Sequence, residues 1–106
     1  MNVLFFRVEN VLNFPETEAR APDGRLGVVD KQVKLLSEEL KGLGPGAQLV
    51  LYGDWAKDWD FNKCSENGKY LNRKLDRRGL HIMDKTQDSI ENYIEKKHVE
   101  TYKVLE

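Results

Sequence analysis

The apolar positions of this chain change period several times, and each change marks an element. Val3 to Phe6 form a continuous apolar run, and with its flanks it reads as a strand over residues 2–8. A run without alternation is the pattern of a strand buried on both faces, as in a parallel sheet covered by helices. From Val29 the period lengthens: Val29, Val33, Leu36, Leu40 and Leu43 recur at spacings of four and three. Those spacings make one stripe of an amphipathic helix. The stretch "GLGPG" stops it, with glycine for a left-handed C-cap and proline against continuation.

"AQLVLY", Ala47 to Tyr52, is a second apolar run and a second strand. A second helix opens at Asn67 or Gly68, carries Tyr70, Leu71 and Leu75 inward, and ends at Gly79. "LHIM" is a third strand. "DKTQDS" holds N-cap chemistry for a third helix with Ile90, Tyr93 and Ile94 on its inner face. "TYKVLE" is a fourth strand. The order β-α-β-α-β-α-β predicts an α/β fold with a parallel sheet of about four strands, helices on both faces and right-handed crossovers.

Two loops do not fit this rhythm. "NFPETEARAPDGRLG" is rich in proline, glycine and charge, and reads either as a flap over a site or as a long solvated connection. "GDWAKDWDFNKCSENG" is dense in aromatics and carboxylates. It reads either as an exposed recognition surface or as a small lid with its aromatics turned inward.

Composition narrows the field. The 106 residues suit a single domain over 1–106, and the 40% hydrophobic and 33% charged content is that of a globular protein. Seventeen Lys and Arg against eighteen Asp and Glu leave a net charge of −1, so no global field draws the chain to nucleic acid or an anionic membrane. The basic cluster Arg73, Lys74, Arg77 and Arg78 falls at a helix C-terminus, where cations offset the helix dipole. Cys64 is the single cysteine, without zinc-spaced companions, and is read as a structural thiol. No apolar run is long enough to span a bilayer, and Asn2 leads into a strand without the basic region of a signal peptide. A cytoplasmic location is expected.

In parallel α/β sheets ligands bind beyond the carboxyl ends of the strands, where strand order reverses. The candidate residues are therefore Arg7, Glu9 and Asn10 after the first strand, Asp54, Trp55, Lys57 and Trp59 in the aromatic loop, and Lys85 after the third strand. Arg7 is a fixed cation. It either pairs with Glu9 or Asp54, or binds an anion. His81 and His98 stand alone and are assigned structural places.

These motifs together resemble the haloacid dehalogenase-like (HAD) superfamily. "VLFFRVENVLNF" is similar to its first motif, an apolar strand running into Asp-x-Asp-Gly and then Val-Leu-Asn. "QLVLYGDWAKDW" resembles the second motif and its Trp loop, "RRGLHIMDKT" the later strand with its Lys-bearing turn, and "TYKVLE" the strand that leads into the acidic metal-binding motif. The resemblance implies a three-layer Rossmannoid fold.

The departures bear on activity. Arg7 stands where the family carries its nucleophilic Asp, Glu9 at the acid/base Asp, and Asn10 at the glycine. Tyr52 or Gly53 replaces the Ser/Thr that holds the phosphoryl group, and Lys85 alone matches a family catalytic position. Without nucleophile or paired carboxylates, the resemblance implies no catalytic residue, no metal site and no cofactor. Mg²⁺ enters only under the alternative of a weak HAD-type phosphatase acting on a small phosphorylated substrate. The expected function is that of a catalytically inactive binding or regulatory module, of the inhibitor type, engaging a protein partner through Arg7, Glu9, Asp54, Trp55, Lys57 and Trp59. A homodimer, or a truncated HAD domain completed by another chain, is the further alternative.

Overall fold

A computed structural model describes residues 1–60 and 65–106. Four short strands, β1 (Asn2–Phe6), β2 (Gln48–Leu51), β3 (Ile82–Lys85) and β4 (Thr101–Val104), form one sheet in the order β3-β2-β1-β4. Every pairing is parallel, with Val3 beside Gln48 and Asn2 beside Thr101. Three helices connect them: α1 (Asp30–Gly42), α2 (Glu66–Asp76) and α3 (Ile90–Lys97). The α/β class and the parallel four-stranded sheet are therefore as the hydrophobic pattern predicts.

The continuous apolar run of β1 has a clear physical cause. Successive side chains of a strand point to opposite faces, and both faces of this strand are covered. Leu4 and Phe6 join a core with Leu36 of α1 and Leu71 and Leu75 of α2. Val3 and Phe5 join a second core with Tyr93, Ile90 and Ile94 of α3. The Phe5 and Tyr93 rings meet edge to face at 5.6 Å. Each buried Leu or Phe side chain contributes about 1.5–3 kcal/mol, so these two layers dominate stability.

Helix boundaries follow local chemistry. Gly44, at φ +95°, takes the left-handed position just beyond α1, the conformation glycine supplies at least cost. Ser65 Oγ caps α2 by accepting from the Gly68 N–H at 3.3 Å, and Ser89 Oγ caps α3 by accepting from the Asn92 N–H at 3.1 Å. Arg78, just past α2, donates to Asp30 in the first turn of α1 at 2.7 Å. That member of the basic cluster thus ties two helices together. His98 is the left-handed cap of α3 at φ +52°, and His81 is exposed just before β3 rather than inside it.

Reversal of strand order falls at β1. From β1 the chain steps outward through β2 and β3, then crosses back so that β4 flanks β1 on its other side. The carboxyl ends of β1, β2 and β4 therefore lie side by side, at the crevice position where sheets of this kind bind ligands. Among the described residues, no helix is long and apolar enough to cross a membrane.

Candidate functional site

Four consecutive residues, Arg7 to Asn10, follow β1 at this position. Arg7 and Glu9 are half-buried, Val8 is buried, and Asn10 is exposed at φ +63°. Glycine takes a left-handed backbone most readily, and Asn is among the few side chains that accept it locally. The Asn10 N–H donates to Asn13 Oδ1 at 3.2 Å. Asn13 is buried, and its amide donates onward to the carbonyls of Leu26 and Gly27. The Val-Leu-Asn exit therefore acts through Asn13, which pins the strand end to the following loop.

That loop folds as a flap hydrogen-bonded to α2 through Asn67 and Tyr70, with many of its side chains in solvent. Arg20 and Leu26 form an antiparallel bridge, and the Gly27 N–H donates to the Ala19 carbonyl at 2.8 Å. Gly27 sits at a close approach: a Cβ there would lie 2.5 Å from the Tyr70 hydroxyl and 3.0 Å from the backbone of Ala19 and Arg20. Arg25 fastens the flap to the rest of the site. It donates to Asp23 at 2.7 Å and to Asp58 at 2.6 Å, with its guanidinium 5.1 Å from the centre of the Trp55 ring. Burial pulls the Arg25 pKa down, but the two carboxylates outweigh it and hold the group above its ordinary value.

After β2, Gly53 (φ +86°, ψ −169°) turns the chain into a short 3₁₀ helix, Asp54–Asp58. Trp55 is only 2% exposed and Trp59 only 4%. Trp59 donates through its indole N–H to Asn72 Oδ1 at 2.8 Å, and the Trp55 ring lies against Tyr70. Both tryptophans are thus packed inward against α2 as a lid, whereas the candidate residues Asp54 and Lys57 are exposed. Phe61 and Cys64 lie outside the described residues.

At the crevice itself the decisive group is Tyr52. Its hydroxyl donates to the carbonyl of Leu105 at 2.7 Å, spanning from the end of β2 to the end of β4. The strand between them is β1, so the tyrosine reaches across the end of the first strand. Arg7 lies beside the ring, its guanidinium carbon 6.0 Å from the centroid. Burial pushes the Tyr52 phenol above its ordinary pKa; Arg7 opposes the shift, and Glu106 and Glu9 add to it. Four side chains, Arg7, Glu9, Tyr52 and Glu106, therefore share one electrostatic environment.

The ion pairs open to Arg7 do not form: among the described residues neither Glu9 nor Asp54 lies within 4.0 Å of its guanidinium. Arg7 Nε and Glu9 Oε1 are both buried with no hydrogen-bond partner. Gly53 accounts for their packing. A Cβ at that position would meet Glu9 Oε2 at 2.9 Å and Arg7 Cβ at 3.0 Å. Lys85 does not join this group. It ends β3, with β2 between it and β1, and lines a separate cleft with Thr86, Asp88 and residues of α3.

The charged group at the very end of β1 is the Arg7 guanidinium, and a fixed cation opposes the approach of a divalent ion. Among the described residues no three His, Cys, Asp or Glu side chains come together in a group able to hold a metal. The fold and this crevice define an α/β protein with a parallel sheet and a tyrosine-spanned strand-end site. Comparison of the chain with protein-family models, with curated proteins and with solved structures finds no match to any of them.

Proposed function

We propose that this chain is a HAD-like, three-layer Rossmannoid domain whose phosphoryl-transfer centre has been given over to packing, and that it serves as a small non-catalytic binding or regulatory module. The observation that carries this reading is the Tyr52–Leu105 bond across the end of β1. A side chain occupies the space a substrate would need, beside a residue, Arg7, that can act neither as nucleophile nor as metal ligand. The left-handed Asn10 supports the family likeness, because it keeps the backbone of the motif after its chemistry has changed. Asp54 and Lys57, exposed on the lid above the crevice, together with Asn10, are the groups offered to a protein partner.

The test has a catalytic arm and a binding arm. Mg²⁺-dependent hydrolysis of p-nitrophenyl phosphate is expected at the buffer rate for the wild type. Turnover by the wild type that is abolished in Glu9→Gln would establish the weak phosphatase instead. A partner captured from the source cell is expected to be lost with Asp54→Lys and Lys57→Glu and retained with Lys34→Glu on α1.

A second reading rests on β4. Thr101, Tyr102 and Lys103 are all exposed although β4 pairs with the most buried strand, and Tyr102 keeps 50% of its surface. An edge this uncovered is open to strand addition by a second copy or another chain. Under this reading the solution mass is that of a dimer and returns to the monomer in Tyr102→Lys; a wild-type monomer at high micromolar concentration removes it.

A further inference from the structure

On the sheet face covered by α1 and α2, the valley between these two helices is lined by cations. One bond marks where they meet: Arg78, just past α2, donates to Asp30 at the start of α1 at 2.7 Å. Helical periodicity puts Lys74 and Arg77 on the side of α2 that carries Tyr70. Two contacts place that side toward the start of α1. The Tyr70 hydroxyl accepts the Val28 N–H at 3.0 Å, and Lys74 Nζ stands 5.5 Å from the centre of the Tyr70 ring. Asp30 registers all three cations. Its carboxyl is held below the ordinary value first by the Arg78 hydrogen bond, then by the charges of Arg78, Arg77 and Lys74. Lys34 follows Asp30 by one turn on the same side of α1.

The acids of the two helices are spent or turned elsewhere. Asp30 is committed to Arg78. Asp76 lies across α2, its carboxylate 3.9 Å from His81 Nδ1, and Glu39 lies across α1, paired with Lys103. Glu38, a turn beyond Lys34, is offset by Lys41 on the turn that follows. Among the described residues, Lys34, Lys74 and Arg77 have no ion pair within 4.0 Å. These cations are left unneutralised along one stretch of surface.

What the valley lacks narrows the partner. Among the described residues the exposed large hydrophobic side chains are Phe14, Leu35 and Tyr102, and none of them lies on α2. Leu35 belongs to the opposite side of α1, in a groove it lines with Leu105. A protein interface is built on an apolar centre, and a membrane-bound helix on apolar side chains that enter the lipid. Contact with a nucleic-acid backbone rests on charge, through the counterions it releases. Single strands add the stacking of bases on aromatic rings. The Tyr70 ring is already taken up by Lys74 and Trp55, so it offers no such platform. A duplex, whose bases are stacked within it, requires none.

We propose that the valley between α1 and α2 binds the backbone of a nucleic-acid duplex, without reading its sequence, through Lys34, Lys74 and Arg77. Arg77 supplies a planar fork that matches two phosphate oxygens, and the lysines act as point charges. The net charge of −1 adds no attraction from the rest of the molecule, so binding is local and salt-sensitive. No residue is shared with the crevice or its lid, and the valley therefore stands apart from the non-catalytic reading of that site.

Titration of the full chain against a short fluorescein-labelled DNA duplex of arbitrary sequence, read by anisotropy, tests the proposal. With three cations engaged, affinity is expected to fall about fortyfold between about 50 and 200 mM salt, a logarithmic slope of about −2.7. The Lys34→Gln/Arg77→Gln double variant should bind at least tenfold more weakly, with a slope of about −0.9. Both side chains are exposed, and an unchanged urea midpoint verifies that the variant is folded. Lys96→Gln/Lys97→Gln on α3, across the sheet, removes the same charge and should leave the affinity within about twofold. Absence of saturable binding, an unaffected Lys34→Gln/Arg77→Gln variant, or an equal loss in the α3 variant overturns the proposal. So does tighter binding of the unpaired single strand, of a glutamate oligomer or of phosphatidylserine vesicles, since each assigns the valley to a different partner.

Discussion

Gly53 carries the sharpest residue-level constraint in the molecule. Its φ and ψ fall in a region that is essentially reserved for glycine, and its missing side chain makes room for Arg7 and Glu9. Gly53→Ala should therefore cost about 1–3 kcal/mol, read as a lower urea midpoint at unchanged slope. Asn10 is the milder case. Asn10→Gly should leave stability within about 1 kcal/mol of the wild type, whereas a β-branched Asn10→Val, forced to φ +63°, should lose about 1–2 kcal/mol. Denaturant curves of the two variants side by side check the contrast. At this scale the sequence showed which residues were unusual but not what they do. Arg7 and Glu9 are two apart and suggest a pair; the fold instead packs both against Gly53, with Arg7 Nε and Glu9 Oε1 left without a hydrogen-bond partner. Tyr52 carries no local signal at all, because its partner, the Leu105 carbonyl, lies 53 positions away in the chain.

Elements were more legible than contacts, for the reason that periodicity reports a face and not its partner. The helical stripe placed Val33 and Leu36 in the core, where both are buried, while Val29 became the residue before α1 and Leu40 and Leu43 are half-buried. "LHIM" anticipated β3 but sat two residues early, since His81 stays in solvent and Asp84 and Lys85 complete the strand. The aromatic loop concealed a 3₁₀ helix, and the clustered tryptophans turned inward because α2 offers them Tyr70 and Asn72. Two expected outcomes belong here. Arg25→Met keeps the aliphatic stem but severs the flap from Asp58 and Asp23 and removes the guanidinium from Trp55; it should lower stability by about 1–3 kcal/mol and speed proteolytic cleavage within residues 15–27. Ser89→Ala should cost about 1 kcal/mol through the lost cap of α3, with faster amide exchange at Asn92 as its local signature.

For the whole molecule, the acid side of the stability profile follows from three aspartates. Asp30 is held below its ordinary value by the Arg78 hydrogen bond, Asp88 by the Ser89 N–H and Asn92, and Asp23 by the Arg25 backbone N–H. A carboxylate with a depressed folded pKa binds fewer protons in the native state than in the unfolded chain. Its contribution is therefore full above the unfolded value of about 3.9 and is lost as pH falls through the folded value. The urea midpoint should stay level from pH 7 to about 5 and decline below about 4, and Asp30→Asn should make that decline shallower. The parallel class of the sheet was readable from β1 itself, since an unbroken apolar run requires two covered faces. Strand order was not, because no residue of β4 announces whether it will join β1 or β3.

The placement of β4 also has a consequence for the order in which the chain can acquire its shape. β1 lies between two neighbours, and one of them, beginning at Thr101 beside Asn2, is far removed from it along the chain. Until β4 docks, β1 has an open ladder on that side, and the core around Val3 and Phe5 lacks Val104. Contacts so distant in sequence close late, after the loop entropy between them has been overcome. The Tyr52 hydroxyl can reach its carbonyl only once that strand has docked. Closure of the crevice is thus a record of that docking: a chain in which Tyr52 is bonded has already placed β4 beside β1.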